Sequence, residues 1–299
     1  MLNLITDINS NFDISAVSSL ADETLCFPFG SVAVFNGSGE SDRSLLIATH
    51  TDKPHLVCTS VNGNGTAKAS LIGEMDSRSC ANTLVYSDTG VSAVLSVTGD
   101  GENASYELDL GAKDKEEAEK LVKTGDVFRL GTAVNRLCGD KIIAPHLSVS
   151  APVTVLVKLC ELLHEAPPSC KVYVSFITEG QHALSGYAPA ANALDASQAI
   201  CVGAVDVTSA PDVKLGSGAA VRLSDRRFGS DKPTSDSLVD AGAVPAVLTK
   251  GTCAAANTQS VGVPSAQLDV PVKNIHTHTE IIDLNDICKA VDILHSICK

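Results

Sequence analysis

The sequence predicts an α/β protein, a mixed and mostly parallel sheet flanked by helices, interrupted by a smaller antiparallel β domain. Three observations predict it. Leu45-Leu46-Ile47-Ala48-Thr49 is apolar or small throughout and reads as a strand buried on both faces. After residue 143, helical and strand patterns alternate, which calls for a parallel or mixed sheet covered on both sides. Between residues 53 and 141 the texture changes to short strands at close spacing, broken by turn signals such as Asn62-Gly63-Asn64-Gly65, Asp88-Thr89-Gly90 and Gly99-Asp100-Gly101. The expected layout is one discontinuous α/β domain, residues 1–52 and 142–299, with a β-rich insertion over residues 53–141.

In chain order, residues 2–20 hold apolar residues at mixed spacing and predict one or two short helices. Residues 31–35 form a short strand, and Asn36-Gly37-Ser38-Gly39-Glu40 a turn. The buried strand follows and ends at His50 and Asp52. In the insertion, strands are expected near residues 55–60, 68–72, 83–86, 91–97 and 105–110, with one helix over 114–122 whose acid-rich first half suits the helix dipole. Beyond it, Val153, Val155, Leu156, Leu159, Leu162 and Leu163 repeat at helical spacing. Strands are expected at 171–177, 199–205 and 246–248, and helices at 185–194 and 236–243. Residues 264–272 lead to His276, and 282–298 form a last amphipathic helix.

Composition narrows the function. The chain has 299 residues, 44% apolar and 19% charged, with a formal net charge of −13. Such an acidic chain without a basic run is poorly suited to the phosphate backbone of nucleic acid. No continuous apolar window of about 18 residues occurs, so no membrane partner is expected. The first 19 residues carry acids and no Lys or Arg, unlike a secretory leader. Ten cysteines without paired spacing read as small buried hydrophobes in a reducing cytoplasmic setting. No Cys-x-x-Cys suggests a thiolate zinc ribbon.

The chemistry concentrates at the end of the buried strand. Open α/β sheets place ligands at the carboxyl ends of their strands. A period of two puts His50 and Asp52 on one side, so an imidazole could ligate a metal while a carboxylate orients it. A polar strand end with a solvated His is the other reading of this pair.

The wider pattern resembles the family of glutamyl aminopeptidases, tetrahedral aminopeptidases and "cellulase M" proteins, cytosolic two-zinc exopeptidases. The resemblance is carried by Ala48-Thr49-His50-Thr51-Asp52, by Tyr106-Glu107-Leu108-Asp109-Leu110-Gly111-Ala112 with Lys115-Glu116-Glu117-Ala118 and Gly125-Asp126, by Ala204-Val205-Asp206-Val207-Thr208, by Gly251-Thr252, and by Gly262-Val263-Pro264-Ser265 through Pro271-Val272-Lys273-Asn274-Ile275-His276. It implies a zinc-peptidase-like sheet, an inserted small β-barrel-like oligomerisation domain, a homo-oligomer, and hydrolysis of N-terminal residues from peptides. It also implies metal ligands at His50, Asp206 and His276, with Asp52 supporting His50.

Three positions depart from the resemblance. The segment that carries the family's bridging carboxylate is Leu147-Ser148-Val149-Ser150 here. The family's Glu-Glu pair falls at Gly180 and Gln181, or leaves Glu179 alone as the catalytic carboxylate if the strand sets the register. Its Gly-Gly-Thr-Asp-Ala-Gly is Lys250-Gly251-Thr252-Cys253-Ala254-Ala255. A neutral Ser cannot offset the repulsion of two cations, and Gln cannot pass a proton at neutral pH. A general base contributes roughly 10²–10⁴-fold. The expected protein is therefore an impaired or inactive aminopeptidase homologue holding one zinc or none, with cobalt or manganese as alternative metals, or else a non-catalytic peptide-binding or assembly subunit. His182 is a second candidate base, His278 a candidate extra ligand, and Cys253 reads as a buried inert thiol. His55, His146 and His164 match no role, and His146 draws notice two residues before Ser148.

Overall fold

The computed structural model describes residues 1–39, 43–99, 101–249, 251 and 253–299. The expected turn residues Glu40 and Asp100, and the motif residues Lys250 and Thr252, lie outside the described residues.

Eight strands form one mixed sheet, in the spatial order Glu23–Phe27, Gly30–Phe35, Lys171–Ile177, Ser44–His50, Gln198–Asp206, Ser265–Val272, Ala220–Ser224 and Val244–Val247. The four central strands run parallel, with Ser44–His50 between two of them. Leu45, Leu46, Ile47, Ala48 and Thr49 are all fully buried, as an apolar run covered on both faces requires. On one face lie the Leu2–Ser10, Leu147–Glu165 and Leu284–Cys298 helices; on the other lie Tyr187–Ala193 and Ala254–Ser260. The fold class is as expected, an α/β sheet flanked by helices.

The Leu147–Glu165 helix has the length and apolarity of a membrane span, but 72% of that window is buried inside the molecule. A helix apolar on all sides is one buried on all sides.

Between these elements sits a closed six-stranded antiparallel barrel, ordered His55–Val61, Thr66–Ile72, Ser105–Asp109, Ser92–Thr98, Thr83–Ser87 and Val127–Leu130. Leu56, Cys58, Leu95, Leu108 and Phe128 fill it. Closure removes the exposed edges that short strands leave. Asp114 caps the Lys115–Leu121 helix by accepting from Glu117 N. Beyond the barrel, Asn135–Arg136, Lys141–Ala144 and Glu280–Asp283 form a separate three-stranded sheet.

Several elements differ from expectation. The helix expected over 236–243 runs over Lys232–Asp240, because Asp231 caps it and Pro233 suits its first turn. The edge strand Glu23–Phe27 and the small-residue helix Ala254–Ser260 carry no clear apolar period and were not predicted. The last helix begins at Leu284, since residues before it pair as a strand.

Candidate functional site

Parallel strands end together, and a cavity of about 430 Å³ opens at the carboxyl ends of the central ones. His50 stands at its rim, with Gly180, Gln181 and Tyr187 from the next connection and His276 beyond. Gly203, Gln267, Asp269, Arg222 and Cys253 line another wall. A small recess adjoins the cavity and is lined by Glu74, His146, Ser148, His276 and Glu280. Backbone strain gathers here: among non-glycine residues with positive φ are His146 (63°), Ala183 (56°), Leu184 (58°) and His276 (64°), which line one space or the other. Such strain clusters at functional sites.

His50 is the last residue of its strand. Its Nδ1 lies 3.1 Å from the Tyr187 hydroxyl. Burial pushes its pKa down, against the opposing pull of the Asp52 charge. Asp52 makes no bond to that ring. Its Oδ1 accepts from Gly180 N at 2.8 Å and its Oδ2 from Gln181 N at 2.7 Å, while Gln181 Nε2 donates to the Asp52 carbonyl at 3.1 Å. The carboxylate thus holds the 180–181 loop by its backbone. A side chain at 180 has no room, because a Cβ there would lie 2.2 Å from the His50 Cβ.

The second carboxylate of this wall is Glu280, 2% exposed. Its oxygens accept from Ser148 N (2.6 Å), Ser148 Oγ (2.9 Å) and His276 N (2.7 Å). It sits at the N-terminus of the Leu147–Glu165 helix, where exposed N–H groups and the helix dipole favour an anion. Burial raises its pKa and these bonds oppose that rise. His276 Nε2 lies 3.3 Å from Glu74 Oε2. In the recess, His146 Nε2 is buried without a hydrogen-bond partner among the described residues, and burial drives its pKa down to about 3, helped by the Lys53 and Arg129 charges.

The wall opposite is built on a guanidinium. Arg222 Nε and Nη2 donate to Asp269 Oδ2 at 2.9 and 2.7 Å, and Nη1 to Asp225 Oδ2 at 3.2 Å. Gln267 Nε2 donates to Asp269 Oδ1 at 2.8 Å. Gly203 leaves space for this pair, since a Cβ there would lie 2.5 Å from Gln267 Nε2. Burial pushes the Cys253 thiol well above its usual range, although Arg222 pulls the other way, so it stays protonated.

Of the residues singled out from sequence, His50 and His276 come together at the cavity. Asp52 stands behind the loop. Glu179 is exposed and lies off the cavity lining, as does exposed His182. Asp206 closes its strand in a local turn, Oδ1 accepting from Thr208 N at 2.8 Å, and does not line the cavity. His278 Nδ1 is buried without a hydrogen-bond partner among the described residues. Among the described residues, no three His, Cys, Asp or Glu side chains stand close enough together to hold a metal ion. Tyr187, Glu280 and the Arg222 group escaped the sequence reading. The signals present were a charged residue within the Ala-Val-Arg-Leu-Ser strand and Gln267 and Asp269 two apart on one strand face.

A model of the M42 glutamyl aminopeptidase family matches residues 30–293. Among solved structures, the chain is similar to an aminopeptidase from the archaeon Desulfurococcus kamchatkensis, with TM-score 0.91 and 20% identity over 99% of this chain and 93% of that one. It is similar to a TET aminopeptidase from Thaumarchaeota archaeon SCGC AB-539-E09, with TM-score 0.90 and 18% identity over 100% and 95% of the two chains. It is also similar to the Pyrococcus horikoshii TET1 peptidase, described as assembling into a tetrahedron or a large octahedral shell, with TM-score 0.83 and 22% identity over 95% and 91%. At these identities the likeness is one of fold.

Proposed function

The chain belongs to the M42 glutamyl aminopeptidase family, and from that premise we propose that it binds peptides in the strand-end cavity while hydrolysing them poorly or not at all. The family is one of metallopeptidases, which implies a divalent metal. On the family pattern the ligand positions are His50, Asp206 and His276, with Asp52 and Glu179 as the catalytic carboxylates. The donors present do not fit a pair of zinc ions. Neighbouring cations repel, and a bridging carboxylate would have to offset that, yet Ser148 is neutral. Catalytic zinc keeps three protein ligands, and the ligand set available around His50 and His276 is short of that number.

One observation carries the reading. Asp52 and Glu280, the half-buried and the buried carboxylate behind His50 and His276, are both engaged with backbone N–H groups. Freeing either would unfasten a loop or uncap a helix. The chain is thus proposed to hold at most one zinc, with cobalt or manganese as possible substitutes. A general base within reach of a bound peptide is missing on the same reading, since Gly180 and Gln181 stand at the family's Glu-Glu positions. Assembly into a homo-oligomer is proposed from the likeness to TET1, and a purely architectural role in such an assembly is the second reading. The test is elemental analysis of the purified protein together with release of amino acids from a short-peptide library. At most one tightly held zinc per chain and no release support the proposal; two tightly held metals per chain with turnover reject it.

A further inference from the structure

Residues 180–186 run along the cavity between two fixed ends. At one end the Asp52 carboxylate accepts from Gly180 N and Gln181 N. At the other, Gly186 packs so closely on Ile177 that a Cβ would lie 2.4 Å from its Cγ2. Between them stand Ala183 and Leu184, both left-handed, with φ of 56° and 58°. That conformation is disfavoured for any residue with a Cβ, and here two such residues follow one another. Strain of this kind persists only where the surroundings hold it.

The holding group is Asn257. Its Nδ2 donates to the Leu184 carbonyl at 2.9 Å and to the Ala183 carbonyl at 3.3 Å. Both partners are carbonyl oxygens, so it is the amide nitrogen that faces them. Residues 182–185 otherwise bond locally: Leu184 N donates to the Gly180 carbonyl at 3.0 Å, Ser185 N to the His182 carbonyl at 3.1 Å and Ser185 Oγ to the Glu179 carbonyl at 3.4 Å. His182 and Ala183 are exposed, and Leu184 rests half-buried on the apolar cluster that holds Tyr187. Asn257, Ala183 and Leu184 all line the cavity. A side-chain amide that donates to main-chain carbonyls makes the contact that a bound peptide's backbone would make. The chain's own 183–184 backbone stands in that place.

We propose that residues 182–185 form a strained gate latched by Asn257, and that an incoming peptide opens it by offering Asn257 a main-chain carbonyl of its own. The exchange keeps the Asn257 hydrogen bond and releases two left-handed residues, so the closed form yields readily to a ligand. The choice of a peptide as the opener rests on the functional reading above; the gate itself does not.

Amide hydrogen exchange of the full chain, read at Leu184 and Ser185, tests it. Both amides are expected to exchange through a local opening, at rates that low urea leaves unchanged. Asn257→Ala removes the latch and is expected to speed them about tenfold. Ala183→Gly, which accepts left-handed backbone, is expected to slow them about threefold. The ligand arm uses tri-alanine on chelator-treated protein, so that no turnover intervenes, with binding followed by calorimetry. Bound tri-alanine is expected to speed exchange at Leu184 and Ser185 about threefold, whereas a rigid wall would be protected by it. Exchange of these amides by global unfolding alone, or no slowing in Ala183→Gly, would overturn the gate. Tri-alanine that binds and slows exchange, or leaves it unchanged, would overturn the handover at Asn257. Tri-alanine that does not bind would overturn the peptide-binding reading and the peptide as opener, while the urea series and Ala183→Gly still decide the gate. They decide it equally if Asn257→Ala fails to fold.

Discussion

The two walls of the cavity use carboxylates in opposite ways. On the strand-end wall, Asp52 and Glu280 face backbone N–H groups and hold a loop and a helix end in place. On the far wall, Asp269 and Asp225 face the Arg222 guanidinium. The first arrangement fixes backbone; the second neutralises a buried charge. In both, the oxygens are already occupied, which leaves Glu74, beside His276, as the exposed carboxylate of the lining.

The comparison breaks most sharply at the far wall. Arg222 is 5% exposed and Asp269 is 1% exposed. Asp269→Leu strands a buried guanidinium and is expected to cost about 3–5 kcal/mol; urea unfolding measures it, and a loss below about 1 kcal/mol would show that Asp225 alone suffices. The strand-end wall is expected to be cheaper to disturb. Asp52→Asn exchanges one of two charge-assisted acceptors for an N–H that faces another N–H, a cost of about 2–3 kcal/mol, with increased hydrogen exchange confined to the 180–181 loop. Uniform destabilisation without local exchange would contradict the anchoring role.

Acid separates the walls as well. The His146 pKa is depressed to about 3, below its unfolded value near 6.5. As pH falls through that window the unfolded chain takes up a proton that the fold does not, so stability present above pH 6.5 is lost toward pH 3. Between pH 6.5 and 5 the loss reaches up to about 2 kcal/mol. His146→Asn, which suits a left-handed position, is expected to flatten that slope in unfolding curves taken at each pH. A more local effect is expected at Gly180. Gly180→Ala forces a methyl against His50 and is expected to cost about 1–3 kcal/mol, while shifting the His50 ring resonances; unchanged resonances would mean that the ring does not rest on the glycine.

The fold was legible because its signals are local. A both-faces-buried strand, crowded short strands and a helix capped by Asp114 each declare themselves within ten residues. His50 and His276 were legible by motif and do meet at the cavity. The rest of the site depends on pairings between distant segments. Nothing near Glu280 in the sequence says that it caps a helix beginning more than a hundred residues earlier. Tyr187 reads as an ordinary core aromatic until the fold brings its hydroxyl to His50. Arg222 and Asp269 sit on neighbouring antiparallel strands, and only that pairing turns two isolated charges into one ion pair.

The central claim is that Asp52 and Glu280 are already committed to backbone N–H groups and cannot serve a metal pair, and zinc titration calorimetry of the chelator-treated protein tests it most directly. The account predicts at most one binding event per chain, and a weak one, with no aminopeptidase activity appearing as zinc is added. Two tight sites per chain, with activity that Glu179→Gln abolishes, would contradict it.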